Sequence, residues 1–298
     1  MLIAEALDKL AGKIERAEAL DKPSDRIAAV SDKLKKLPGS QLMVDVASGT
    51  VIGHPMHPLL IAIPIGSWTA AAVFDVVGDA KGAQRLTGWG VLAALPAMFT
   101  GHSDWSYTSG AERRVGTVHA ALNDVAVWSY AGSWLARRSG RQGLGIGLSV
   151  LGGVALTGGG WLGGHLAYAL GVGVDTTAFQ QSEPEWSRVA AASEVTAGRL
   201  STADLDGVPL VLARTGDGDI AVLADRCTHR GAPLHEGELV DGCVVCPWHD
   251  SRFTLDGAVV KGPANRPQPA YEVEVRGDDV FVRRADEPRG LRTDLAGV

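Results

Sequence analysis

A chain of 298 residues is long enough for more than one domain, and 46% hydrophobic content with a mean hydropathy of +0.08 is apolar for a soluble protein. The net charge of −6 is unevenly placed: residues 185–298 hold 13 Lys/Arg and 19 Asp/Glu and so carry all of it. An acidic module behind an apolar one excludes nucleic acid as a partner, because that partner needs a basic face.

Residues 1–53 begin Met-Leu-Ile but soon acquire charges, so no signal peptide is expected. Ile3, Leu7, Leu10 and Ile14 share one helix face, and Ile27, Val30, Leu34 and Leu37 share another. These stripes predict a pair of short amphipathic helices lying on a membrane surface or on the rest of the protein. Four apolar segments follow. Leu59 to Phe74 and Leu86 to Gly101 carry no charge, Val115 to Ala136 is interrupted only by Asp124, and Gly143 to Val174 is again uncharged. A membrane crossing needs about 20 residues, or roughly 17 at the short end. With their flanks, the segments predict a four-helix transmembrane bundle over 54–174. Glycines from Gly145 to Gly164 give its last helix small faces for close packing.

A linker is expected at 175–185, and from Trp186 the grammar changes. Val208 to Ala213, Ile220 to Ala224, Glu238 to Cys246, Tyr271 to Val275 and Val280 to Arg283 read as short strands, separated by Asp-Gly and Gly-Asp turns. They predict a small β-sandwich at 186–284, followed by a flexible polar tail at 285–298. The expected class is therefore α+β multidomain, a four-helix transmembrane bundle followed by a small all-β domain.

Within the β region stand Cys227-Thr-His229 and, sixteen residues later, Cys246-Pro-Trp-His249. Zinc fingers usually pair Cys with Cys and His with His, whereas each loop here is mixed. That mixture suits a two-iron cluster with thiolates on one iron and imidazoles on the other. Cys227-Thr-His-Arg-Gly-Ala-Pro-Leu234 and Cys246-Pro-Trp-His-Asp-Ser-Arg-Phe253 resemble the cluster loops of a Rieske 2Fe–2S domain of the ferredoxin and oxygenase-component type. The resemblance implies Cys227 and Cys246 on one iron, His229 and His249 on the other, and a potential between about −150 and +300 mV. It also implies that Gly231 lies in a loop whose amides approach the sulfides, that Ser251 supplies a hydroxyl, and that Gly262-Pro263 belongs to a third loop covering the cluster. Trp248 is expected to pack beside it. Phe253 stands where high-potential members carry tyrosine, so a potential below theirs is expected. No catalytic residue is expected. The 49 residues after His249 hold no histidine, so the mononuclear iron site of a terminal Rieske oxygenase is not expected either.

Five of the eight histidines lie in the apolar half: His54, His57, His102, His119 and His165. Counting four spans places all five at one membrane face, the face from which the cluster domain departs. Gly53-His54-Pro55-Met56-His57-Pro58, with Pro64-Ile-Gly-Ser-Trp68 and Gly163-Gly-His165, is similar to a bacterial four-span membrane domain of unknown function. That likeness implies a multi-pass cell-membrane location and assigns no ligand. The five histidines and Asp124 are candidates for a haem b or quinone site, against plain hydrogen bonding at the interface. Lys81, Arg85, Arg137, Arg138 and Arg141 lie in connections away from the cluster domain, which places that domain outside the cytoplasm by the positive-inside rule. Arg137-Arg138 also resembles a twin-arginine export signal. The expected function is a membrane-anchored one-electron carrier, with a redox partner protein and the lipid bilayer as partners. The alternatives are a haem b- or quinone-linked membrane oxidoreductase and a redox-sensing scaffold.

Overall fold

The computed structural model describes residues 2–180 and 185–284, with side chains from residue 5 onward. The expected tail and the middle of the expected linker lie outside the described residues, as does the side chain of Ile3. The chain divides into two compact units, Met1–Leu37 with Met56–Val172, and Pro38–Pro55 with Gly173–Val298. Residues 38–55, read above as part of the N-terminal segment, thus group with the β region.

The first unit is helical. It contains α1 (Leu2–Glu15) and α2 (Asp21–Lys35), while α3 (Ser40–Ser48) belongs to the second unit. Four long helices complete it: α4 (Met56–Val76), α5 (Ala80–Trp105), α6 (Gly110–Arg138) and α7 (Gln142–Tyr168). The first three expected apolar segments fall within α4, α5 and α6, whereas the fourth, expected to run to Val174, is helical only as far as Tyr168. Among the described residues, α4 and α7 alone are both long and apolar enough to cross a membrane, with 17% and 22% of their most apolar windows buried. α5 and α6 are diluted by residues such as Thr87, Pro96 and His102 in the one and His119, Asn123 and Asp124 in the other.

Small residues make up much of the interior of this unit, and many of its large apolar ones lie on the outside. Ala71, Ala83, Ala94 and Ala126 are buried, whereas Leu59, Trp89, Leu92, Trp128 and Val154 are largely exposed. A protein surrounded by water rarely exposes so continuous an apolar surface. Trp68 stacks on Tyr130 inside the bundle, with ring centroids 4.1 Å apart and 7° between planes. Glycine permits this approach: a Cβ on Gly90 would lie 2.3 Å from Trp68 Nε1, and one on Gly152 would lie 2.9 Å from Tyr130.

The apolar stripe of α2 also faces outward, with Ile27, Val30 and Leu34 49%, 57% and 58% exposed. Its small residues Ser24, Ala28 and Ser31 are buried instead. Arg114 pairs with Asp21 at 2.6 Å and Arg113 with Asp25 at 2.7 Å, which ties α2 to the start of α6. Arg137, counted above among the connection charges, lies in the last turn of α6, is buried, and makes two 2.6 Å hydrogen bonds to the carboxylate of Asp75.

The second unit holds β1 (Ser187–Ala191), β2 (Leu200–Leu205), β3 (Val208–Arg214), β4 (Ile220–Ala224), β5 (Glu238–Val240), β6 (Cys243–Val245), β7 (Arg252–Thr254), β8 (Val259–Lys261), β9 (Ala270–Arg276) and β10 (Asp279–Arg284). They form a six-stranded antiparallel sheet in the order β1-β10-β9-β4-β3-β2 and a four-stranded meander, β5-β6-β7-β8. Asp241 and Gly242 both have positive φ, 51° and 72°, the requirement of a tight hairpin turn. That turn divides the single strand expected at 238–246 into β5 and β6. β7 and β8 have three residues each, too few for an alternation to show in sequence. Phe253, Leu234, Val244, Cys227 and Cys246 share one buried cluster, so the cysteine loops are rooted in core.

Candidate metal centre

The two Cys/His loops are one backbone device used twice. In the loop between β4 and β5, Cys227 N–H donates to Ala232 O at 2.9 Å and Gly231 N–H to Cys227 O at 2.8 Å. Between β6 and β7, Cys246 N–H donates to Ser251 O at 2.8 Å and Asp250 N–H to Cys246 O at 3.1 Å. The donors and acceptors are offset identically from each cysteine. The fourth residue after the cysteine must be left-handed in both, and Gly231 (φ 77°) and Asp250 (φ 60°) meet that need. Glycine does so without steric cost, and Asp is among the few other residues that visit the region.

The same offsets direct amides at sulfur. Those of His229 and Arg230 bond the Cys227 sulfur, and those of Trp248 and His249 bond the Cys246 sulfur. The thiols are 1% and 3% exposed and hydrogen-bond each other. The bond from Cys227, aided by the two amides against the opposing effect of burial, pushes the Cys246 thiol down to about 7, while its role as donor pushes the Cys227 thiol up. None of the three cysteines is in a disulfide. The imidazoles of His229 and His249 are half-buried, with ring centroids 5.1 Å apart at 80°. The donors thus come as a thiol pair and an imidazole pair. Among the described residues, no three His, Cys, Asp or Glu side chains converge as one tetrahedral ion would need. Paired thiolates and paired imidazoles fit a two-iron cluster better than a single zinc.

Around this set, Ser251 is fully buried and its Oγ accepts from Ala264 N–H at 3.0 Å. Ala264 follows the buried Pro263, which is joined to Gly262 by a cis peptide. Trp248 is 55% exposed and meets His249 edge-on at 6.4 Å, so it flanks the imidazole at the surface and does not pack inward.

Several supports carry no motif in the sequence. Buried Gln268 accepts from Thr228 N–H at 3.1 Å and donates to the carbonyls of Ala224 and Arg226 at 2.7 Å. Thr176 Oγ1 donates to Cys227 O at 2.7 Å, which fastens part of the expected linker to the first loop. Asp225 accepts from both His235 N–H and Nδ1 at 2.7 Å. Most distant in sequence is the segment that includes α3. Asp45 accepts from Gly262 N–H at 2.9 Å, Thr50 Oγ1 donates to Ala264 O at 2.8 Å, and Asn265 Nδ2 donates to Ser48 O at 2.9 Å.

The five other histidines do not form one cluster. His54 precedes α4, is exposed, and belongs to the second unit. In the first unit, His102 hydrogen-bonds Ser31 Oγ at 2.7 Å and His165 bonds Glu15 at 2.8 Å, so both contact the N-terminal helices. His57 and His119 remain together, with ring centroids 6.3 Å apart. Asp124 is exposed on α6, and it is Asn123 that hydrogen-bonds His119, which removes Asp124 from the histidine site.

Residues 53–176 match the family described as Predicted membrane protein (DUF2231). Residues 185–272 match the family described as Rieske [2Fe-2S] domain. Ferredoxin CarAc of Metapseudomonas resinovorans is 35% identical over 99 residues, which is 33% of this chain and 92% of that protein. Chlorophyllide a oxygenase of Chlamydomonas reinhardtii is 43% identical over 61 residues, 20% of this chain, and the chain spans only 10% of its length. Among solved structures, the ferredoxin of carbazole 1,9a-dioxygenase from Nocardioides aromaticivorans IC177 is 29% identical, with 34% of this chain and 98% of that one covered and a TM-score of 0.32. With almost the whole of a Rieske ferredoxin contained in its β unit, the chain belongs to the Rieske [2Fe-2S] family.

Proposed function

We propose that this protein is a membrane-anchored one-electron carrier whose 2Fe–2S cluster is held by Cys227 and Cys246 on one iron and by His229 and His249 on the other. The observation that carries the reading is the doubled loop, with backbone amides on each sulfur and a thiol pair beside an imidazole pair. When bound, such a cluster accepts and gives up single electrons. The chain's own residues decide where exchange takes place. Both thiols are sealed in core while both imidazoles reach the surface, so a redox partner protein docks at the histidine edge, flanked by Trp248.

The anchor is the set α4 to α7, which we read as four crossings. Its exterior is apolar and its interior small, and the exposed stripe of α2 suits a helix lying in the membrane surface. The connection charges at Lys81, Arg85, Arg137, Arg138 and Arg141 favour the cytoplasm, so the cluster domain is assigned to the opposite side.

Detergent-purified full-length protein is expected to contain two irons and two sulfides per chain, with a one-electron reduction below the high-potential Rieske group. Replacing any of the four ligands by Ala is expected to abolish the visible absorption of the cluster. A fully loaded cluster in His229→Ala or His249→Ala overturns the ligand assignment. Reaction of an engineered tail cysteine with an impermeant reagent in intact cells tests the sidedness, and protection there overturns it.

A further inference from the structure

We propose that α3 and the turn behind it form a lipid-facing surface, an apolar patch that seats the Gly262-Pro263 side of the cluster domain on the phospholipid bilayer. Residues 38–52 lie outside both family matches. The two faces of α3 are inverted relative to a helix on a protein in water. Val44, Asp45, Ala47 and Ser48 are buried, whereas Leu42 and Met43 are 66% and 58% exposed and Val46 is exposed beside them. At about 100° per residue, the three exposed side chains share one arc and the four buried ones share the rest. Val51 and Ile52, in the short turn Thr50–Ile52 that follows, add two more exposed apolar side chains.

The polar face of this segment does not meet water. Asp45 accepts from Gly262 N–H and from Gln41 Nε2, each at 2.9 Å. Thr50 Oγ1 donates to Ala264 O, Asn265 Nδ2 donates to Ser48 O, and Arg266 Nη1 donates to Gly53 O at 3.4 Å. A helix of nine residues is too short to persist alone, so these bonds hold α3 in place and fix which way its apolar side points. Asp45 is the sole Asp, Glu, Lys or Arg in residues 38–55, and it is buried. The outward surface of the segment therefore carries no carboxylate, ammonium or guanidinium group.

Chain continuity selects the occupant. Three residues separate Ile52 from Met56, the first residue of α4, which is long and apolar enough to cross a membrane. Four chain steps reach ~14 Å at most, and the polar layer beside the hydrocarbon core is roughly 5–8 Å deep. With α4 read as a crossing, on which the inference rests, the patch lies within reach of that layer. An apolar helix face there sinks about 5–10 Å into the boundary between headgroups and acyl chains. Five apolar side chains also fall short of the roughly 20–30 residues that each partner gives to a specific protein interface, whereas lipid sets no minimum area.

Photocrosslinking in intact membranes tests this, with p-benzoylphenylalanine placed singly at Leu42, Met43, Leu59 and Val275 of the full chain. All four positions are exposed, so each variant is expected to keep the iron–sulfur absorption. A phospholipid adduct, read as added mass on the purified protein, is expected at Leu42, Met43 and Leu59, and none at Val275 on β9. Adducts at Leu59 without any at Leu42 or Met43 overturn the inference and leave the crossing intact, while adducts at none of the three overturn both. Crosslinks from Leu42 and Met43 to protein alone, within this chain or to a second copy, also overturn it, as does an equal lipid adduct at Val275.

Discussion

Replacing Gly262 by alanine tests whether the α3 segment is part of the cluster domain. A Cβ at this position would lie 2.3 Å from Thr50 Oγ1, 2.8 Å from Asp45 Oδ1 and 3.2 Å from Ser48 Oγ. All three are buried polar side chains, so the segment must move as a body. Overpacking costs about 1–3 kcal/mol. The movement also breaks the 2.9 Å bond from Gly262 N–H to the Asp45 carboxylate. A hydrogen bond to a charged group contributes about 1.5–3 kcal/mol, so with the overpacking cost the total is about 2.5–6 kcal/mol. At roughly 3 °C per kcal/mol for a unit of this size, the midpoint falls by about 8–18 °C. Bleaching of the cluster absorption on heating full-length protein, at one scan rate, reads this unit alone. Thr50→Ala removes the nearest atom at the cost of its bond to Ala264 O, so the double variant is expected to be more stable than the sum of the singles by over ~1 kcal/mol. A Gly262→Ala midpoint within about 2 °C of the parent, when roughly 8–18 °C is expected, would show that the segment does not lie against this loop.

Ser251→Ala leaves the buried Ala264 amide without its acceptor, a loss of about 1–3 kcal/mol in the same melting assay. If the lost hydroxyl favours the reduced cluster by ~1 kcal/mol, the potential falls by ~40 mV in a redox titration, at 59 mV per tenfold for one electron. Gly231→Ala places a side chain at φ 77° and is expected to cost about 1–2 kcal/mol, whereas Asp250→Gly at the equivalent position relieves backbone strain and is expected to retain the cluster; equal losses in the two variants would contradict the shared loop frame. Arg137→Ala leaves the half-buried Asp75, among the described residues, with only the 3.4 Å bond from Gln142 and is expected to cost about 1–3 kcal/mol, read as earlier loss of helical circular dichroism in detergent.

Much of the metal centre is legible along the chain because it is local. Cysteine and histidine two or three positions apart in a loop already determine the donor chemistry, and the Asp-Gly pairs mark hairpins by backbone conformation alone. The partition into an apolar half and an acidic half, and the presence of four long helices in the first, likewise follow from composition and period. What tertiary structure decided has no period. Gly262 and Asp45 are 217 residues apart, and nothing local in either announces the bond between them. Counting spans put five histidines at one face, but helix rotation and docking paired only His57 with His119, sent His102 and His165 to α2 and α1, and left His54 in the other unit. The same rotation turned Asp124 outward and buried Arg137 against Asp75, because a charge on a packed helix goes wherever a partner can offset its desolvation.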